Sequence, residues 1–143
     1  MRLRVASVSI PLVAACAPWA AGARLPPRAS GIVGAWAAPA APGSADTTVL
    51  EFASDGTASE ARIEPSGTVR RVPWGPFRIY ADSGARHLLC FAFRRSRALP
   101  ACRYYRVVSQ TDSAGEAHRR LELLHWVEQA DTEVQVWRER VAP

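Results

Sequence analysis

Apolar and polar side chains alternate with a period close to two along most of this chain, from Gly31 to Arg140. Turn-forming residues interrupt the alternation roughly every ten positions, a spacing typical of an all-β sandwich or barrel. Eight strands are predicted, the fourth in two parts: residues 32–36, 48–53, 57–63, 69–74 with 77–80, 87–94, 103–109, 119–127 and 133–140. Because eight up-and-down strands can close on themselves and so remove open edges, we predict an all-β fold, a small antiparallel barrel.

Turn residues indicate how the strands connect. Asp55-Gly56 is the strongest hairpin signal in the chain. Pro73 and the pair Gly75-Pro76 interrupt the fourth strand and remove backbone donors, so this strand must bend or lie at an edge. The fifth predicted strand is apolar on both faces and is expected to be the most buried.

The N-terminus has the three zones of an export signal. Arg2 and Arg4 supply positive charge, residues 5–15 form an apolar run, and small residues follow. The apolar run is too short for a transmembrane helix, which needs about 20 such residues. We therefore predict a signal peptide that is removed on export.

Two cleavage sites compete. The residues before Cys16 resemble the lipobox of bacterial lipoproteins, which predicts a signal peptide of residues 1–15 and a lipid on the Cys16 thiol. A small-x-small pattern instead allows a signal of residues 1–23 and release without lipid. Residues 16–30 are rich in Ala, Pro and Gly and are expected to be a flexible tether, with one domain over residues 31–143.

Cys16 is either acylated or removed with the signal peptide, so Cys90 and Cys102 are the two cysteines left with a free thiol in either case. An even pair in an exported domain favours a disulfide. If the two face each other on adjacent antiparallel strands, the numbers of cross-strand partners sum to 192, which places Leu88 opposite Tyr104.

Charge gives little support for a polyanionic partner. All 18 basic residues are arginine, and the net charge of +5 falls to +3 once Arg2 and Arg4 are removed. Such a balance is too mild to indicate nucleic-acid binding, so no nucleic-acid partner is predicted.

Gly34-Ala35-Trp36 in the first predicted strand resembles the Gly-x-Trp motif of the lipocalins and related calycin barrels. The run over residues 48–57 is also similar to short bacterial lipocalin-like domains, which are often exported and lipid-anchored. The resemblance implies that Trp36 plugs the closed end of the barrel and that an arginine of the last strand packs across it. Arg138 is the expected arginine, since its contact with the ring would combine packing with cation-π attraction.

No constellation of catalytic residues is recognisable. His87, His118 and His125 are the only histidines, and none has a partner at a familiar metal-ligand spacing. There is also no nucleophile elbow and no recognisable pair of catalytic carboxylates. We therefore expect no metal, no cofactor and no enzymatic activity.

Aromatic side chains are the main candidates for contact with a ligand. They are Trp36, Trp74, Trp126 and Trp137 with Phe91, Phe93, Tyr104 and Tyr105. They could line an apolar cavity, or they could fill the barrel as core.

Three arginines, Arg94, Arg95 and Arg97, cluster at the tip of the hairpin predicted between the two cysteines. Guanidinium groups bind carboxylate or phosphate in bidentate fashion, so this tip could contact an anion. The alternative is an ordinary solvated charged loop.

Two classes of function follow. The first is an exported, lipid-anchored, lipocalin-like protein that binds a small apolar ligand. The second is a non-enzymatic structural or interaction lipoprotein of the cell envelope with a filled barrel. Both place the chain outside the cytoplasm, held at the membrane through Cys16 or, as an alternative, soluble in the periplasm or secreted. A continuous apolar cavity favours the first class and a filled interior favours the second.

Overall fold

A computed structural model describes residues 23–82, 86–91, 101–127 and 133–141 of the 143-residue chain. The strands in these ranges are β1 (Arg24–Leu25), β2 (Gly34–Pro39), β3 (Thr47–Phe52), β4 (Thr57–Ile63), β5 (Val69–Ala81), β6 (His87–Phe91), β7 (Ala101–Thr111), β8 (Ala117–Trp126) and β9 (Gln135–Glu139). A short 3₁₀ helix, Pro27–Ser30, connects β1 to β2. Within these ranges, no helix has the length and apolar character needed to cross a membrane.

Strands β2 to β9 form a closed antiparallel barrel of eight strands. Each strand pairs with the next one along the chain, and β9 returns to pair with β2. The prediction of a small up-and-down barrel is therefore confirmed. The remaining strand, β1, lies outside the ring and pairs with the C-terminal part of β5.

The hairpin between β3 and β4 forms at the predicted Asp55-Gly56 pair. Gly56 has a φ of +87°, which an L side chain rarely adopts. The Asp55 carboxylate accepts hydrogen bonds from the Thr57 backbone N–H at 2.9 Å and from its hydroxyl at 2.7 Å. These contacts hold the turn and lower the pKa of Asp55, because they stabilise its charged form.

Strand β5 is continuous but irregular, as its Pro and Gly residues predict. Pro73 lies opposite Ser59 and Gly75 lies opposite Ala58, so Trp74 is an extra residue without a partner in β4. Such a bulge changes which face the following side chains occupy. The first part of the strand then pairs with β4, and its last five residues pair with β6.

Cys90 and Cys102 form a disulfide between β6 and β7. The register places Leu88 opposite Tyr104, as the sequence predicts. In β6 every residue after His87 is buried, so the prediction that this strand is the most buried is also confirmed.

The structure corrects the predicted boundary between tether and domain. Residues 16–30 were expected to be flexible, but Arg24–Leu25 pairs with β5 and Leu25 packs against the core. Ser30 is buried at the end of the 3₁₀ helix. The prolines of this segment made it look like a linker, but the fixed φ of proline also suits the first turn of a 3₁₀ helix, which here begins at Pro27.

The buried core occupies the part of the barrel nearest the 3₁₀ helix. Its largest fully buried side chains include Ile32, Trp36, Leu50, Ile79, Tyr105 and Leu121. The interior is therefore packed at one end, and this packed end forms the floor beneath the candidate site.

Candidate ligand cavity

Trp36 belongs to the buried core of the barrel. Its side chain is completely buried, and its indole N–H donates a hydrogen bond of 2.7 Å to the Ile32 carbonyl oxygen. This bond satisfies the polar edge of the ring, so a large side chain can be buried without an unpaired donor.

The arginine that covers Trp36 is Arg119 of β8, and the prediction that it is Arg138 is wrong. The Arg119 guanidinium lies 5.3 Å from the centre of the Trp36 ring, within the range of a cation-π contact. It also donates a hydrogen bond of 2.7 Å to Glu139 and another to the Gly31 carbonyl oxygen.

Arg138 lies on the outer face because of the strand register. In β9 it is Glu139 that lies opposite Trp36, while Arg138 lies opposite Ala37. Since cross-strand partners share a face and neighbours along a strand alternate, Arg138 points away from Trp36. Its side chain is exposed.

A cavity of about 580 Å³ opens above the packed core. Its volume lies in the range of small-molecule sites. The β2–β3 connection and the residues that lead into β9 border its mouth, while Leu50, Phe52 and Leu89 of the core form its base. The barrel is thus filled at one end and open at the other.

Aromatic rings form much of the cavity wall. The bulge in β5 turns Trp74 inward, where its ring meets Phe91 edge to face with ring centres 5.2 Å apart. Trp126 and Trp137 line the cavity from β8 and β9. This wall offers apolar contact to a ligand over several rings.

Arg103 of β7 is the principal charged group in the wall. It faces inward beside Leu89, and its residue is only 5 % exposed. Its Nε donates to the Leu124 carbonyl at 2.8 Å, and its Nη1 donates to the Gln135 side-chain oxygen at 3.1 Å. Burial lowers the pKa of Arg103, because removal from water penalises the charged form.

Two further polar groups line the cavity. Glu60 of β4 lies opposite Leu50 and therefore points inward, and it has no ion pair or hydrogen bond within the described ranges. The Trp137 indole N–H is buried and finds no acceptor in the described part of the chain. Each of these groups is available to a bound molecule.

The seven predicted aromatic candidates that the structure describes divide into three groups. Trp74, Trp126, Trp137 and Phe91 line the cavity, whereas Trp36 and Tyr105 belong to the core below it. Tyr104 packs with Leu88 on the outside of the barrel. Phe93 lies outside the described residues.

Several predicted site residues fall where the structure gives no description. They are Cys16, the expected lipid attachment site, and Arg94, Arg95 and Arg97, the expected anion contacts. Their roles stay predictions.

Arg103 and Arg119 are interior residues that the sequence pattern did not identify as such. The signal was present, because partners that sum to 192 place Arg103 opposite Leu89. Both faces of β6 are apolar, however, so the pattern alone did not show which face points inward.

One histidine lies near possible metal ligands. Asp112, Glu116 and His118 have ligand atoms within 4.8 Å of one another in the β7–β8 turn, and all three are exposed. Asp112 accepts hydrogen bonds from two backbone N–H groups of the turn and contacts the His118 ring at 2.8 Å. These contacts account for the cluster as turn structure and lower the pKa of Asp112.

Comparison with known proteins gives no relative from which a function could be transferred: no family model, curated protein or solved structure matches this chain.

Proposed function

We propose that this protein is a binding protein, and that its barrel holds a small, mainly apolar molecule in the open end. The observation that carries the proposal is the 580 Å³ cavity walled by Trp74, Phe91 and Trp137. Small-molecule sites are typically concave and apolar with a few placed polar groups, and this cavity has both features.

The alternative of a structural or interaction protein with a filled barrel is less well supported. In a filled barrel further side chains would cover the core, whereas here Leu50, Phe52 and Leu89 of the core face an open cavity. Because β2 to β9 close into a ring, they offer a protein partner fewer open strand edges than an open sheet would.

Binding is tested with N-phenylnaphthylamine, an uncharged probe that becomes fluorescent in apolar surroundings. We expect saturable binding at one probe per chain, with energy transfer from the tryptophans of the cavity wall. Absence of saturable binding by this probe would count against the proposal.

A matched pair of variants locates the binding. Ala38→Trp places an indole at the cavity mouth, since Ala38 lines the cavity. Gln110→Trp places the same ring at an exposed position of β7. Ala38→Trp should weaken probe binding by about tenfold or more and Gln110→Trp should not; equal effects of the two variants would contradict binding in the cavity.

We further propose that the protein acts outside the cytoplasm and is attached to a membrane through Cys16. Support comes from the charged start, the apolar run and the lipobox-like residues before Cys16. The full chain expressed in bacteria with labelled palmitate should incorporate label, and Cys16→Ala should abolish it. Unlabelled wild-type protein that begins at Arg24 would refute the lipid anchor while leaving export intact.

A further inference from the structure

Arg103 carries a buried charge without a carboxylate partner. Its remaining hydrogen bonds go from Nη2 to the Leu123 carbonyl at 3.1 Å and to the Glu133 carbonyl at 3.4 Å. All its acceptors are thus neutral, and none of the ion pairs among the described residues includes it. A charge buried in this way is costly unless something compensates it.

One donor of this guanidinium has no acceptor among the residues that the structure describes. Arginine has five N–H groups, and the four hydrogen bonds to Gln135, Leu123, Leu124 and Glu133 use four of them. The free N–H is on Nη1, which lies beside Gln135 in the cavity wall. Trp126 contributes only the face of its ring, at 5.4 Å.

A second free donor lies on the same wall. Trp137 follows Gln135 by two positions in β9, so both point inward, and the buried Trp137 N–H has no acceptor within the described residues. Positions i and i+2 of a strand are about 7 Å apart. Two unsatisfied donors, one of them cationic, thus border the cavity on the side formed by β7 to β9.

Two acidic side chains line the cavity, and neither pairs with Arg103 among the described residues. Glu60 belongs to β4, which is separated from β7 by β5 and β6. Glu133 lies next to Arg103, because its backbone carbonyl accepts a hydrogen bond from Nη2, but the residue is exposed and water screens its carboxylate. The favourable position for an anion is therefore the wall of Arg103 and Trp137.

We propose that the ligand is an amphipathic molecule with a single anionic head, such as a carboxylate, that accepts hydrogen bonds from Arg103 and Trp137. Its apolar part lies against Trp74 and Phe91. The head supplies the missing counter-charge, and charge-assisted hydrogen bonds to guanidinium are among the stronger ones. This inference rests on the proposed binding function and specifies the chemical class of the ligand.

The test compares probes that share one alkyl chain and differ in the head. Dodecanoate, dodecyl phosphate, dodecanol and dodecyltrimethylammonium are each titrated below their micelle concentrations against bound N-phenylnaphthylamine, using the full-length chain. Dodecanoate should bind about tenfold more tightly than dodecanol, and the trimethylammonium probe should bind least. Comparison with dodecyl phosphate distinguishes a carboxylate head from a phosphate head.

Two variants test whether Arg103 and Trp137 cause the preference for dodecanoate over dodecanol. Arg103→Met should bring the affinities for dodecanoate and dodecanol close together, and Arg78→Met, an exposed arginine on β5, is the matched control. If Arg103→Met does not fold, Trp137→Phe decides, because it removes the unsatisfied N–H, together with part of the ring, and leaves Arg103 in place; the lost ring area should weaken dodecanol and dodecanoate alike, so the ratio of their affinities reports the N–H. Trp137→Phe should reduce the preference for the anion by several fold.

The outcomes separate the two proposals. If dodecanol and dodecanoate bind equally to the wild type, or if Trp137→Phe and Arg103→Met both keep the full preference, the anionic head is wrong and the apolar site stands. Tightest binding of the trimethylammonium probe also overturns the inference, in favour of a cation near Glu60. If neither the probe nor any dodecyl compound binds, the proposed function itself fails.

Discussion

Tyr105 is a fully buried side chain with an ionisable group. Its hydroxyl lies near Ser30, but the Ser30 hydroxyl donates to the Pro27 carbonyl, and Tyr105 Oη has no hydrogen-bond partner of good geometry within the described residues. Burial therefore dominates and raises the pKa of Tyr105 well above its ordinary value, with only weak opposition from Ser30.

This burial predicts a loss of stability in alkali. In the unfolded chain the phenol ionises near pH 10, its ordinary pKa, whereas in the folded chain it stays protonated to higher pH. The stabilisation is full below about pH 10 and is lost as the pH rises further, since the unfolded state then binds fewer protons.

Tyr105→Phe removes that dependence. The free energy of unfolding, measured by urea denaturation, should fall less steeply above about pH 10 in the variant than in the wild type. Near neutral pH the two should agree within about 1 kcal/mol, because the hydroxyl makes no bond that the variant loses. Parallel curves for both proteins would contradict the account.

Substitution of Arg119 and of Arg138 tests which arginine covers Trp36. Arg119→Met removes the cover of Trp36, the ion pair to Glu139 and the hydrogen bond to Gly31, so we expect a loss of about 1–3 kcal/mol in unfolding free energy. Arg138→Met changes an exposed side chain and should stay within about 0.5 kcal/mol of the wild type. A larger loss for Arg138→Met than for Arg119→Met would restore the original assignment.

At this scale the sequence predicted the tryptophan of the floor but not its arginine. Trp36 is identifiable from a local motif, whereas the covering arginine depends on which face of β8 and β9 points inward. Arg119 alternates with Leu121 and Leu123, two buried apolar residues, and this pattern was the better guide.

Among the strands, β6 and β7 are the pair that a disulfide crosslinks. It joins positions 12 residues apart in the chain, and in the loop-entropy picture such a crosslink stabilises the fold by about 3 kcal/mol. Reduction should therefore lower the melting temperature by roughly 10 °C in a domain of this size.

Calorimetry with and without reductant measures this shift, and a variant with both Cys90→Ser and Cys102→Ser should melt at the temperature of the reduced protein. The double variant is the control, because reductant should not affect it. Unchanged melting of the wild type on reduction, or rapid alkylation of both thiols in the native unreduced protein, would contradict a stabilising disulfide.

Strand pairing was predictable where the sequence contains a turn motif or a pair of cysteines. Asp55-Gly56 predicted the position of a hairpin and the two cysteines predicted a register, and both predictions are confirmed. The β5 bulge was predictable only as a bend, because its proline and glycines show that the ladder is interrupted but not that Trp74 turns inward. Strand β1 was missed since two residues are too few for a periodic pattern.

For the whole molecule, closure of the barrel follows from the number and order of strands, but the cavity does not. Whether a barrel of eight strands is filled depends on the sizes of inward side chains taken together. Large residues such as Trp36 and Tyr105 meet at one end, while the inward positions near the mouth include Ala38 and Thr48. This distribution becomes visible only once the register of every strand is known.

The function proposed for this protein requires that the open end of the barrel hold an apolar molecule. Crystals of the protein soaked in bromododecane and measured at the bromine absorption edge test it directly, since anomalous scattering locates the bromine without reference to the protein. We expect a bromine site within about 4 Å of Trp74, Phe91 or Trp137 in the wild type, and its loss in Ala38→Trp. Bromine found only on the outer surface, with no site in the cavity, would contradict binding in the open end of the barrel.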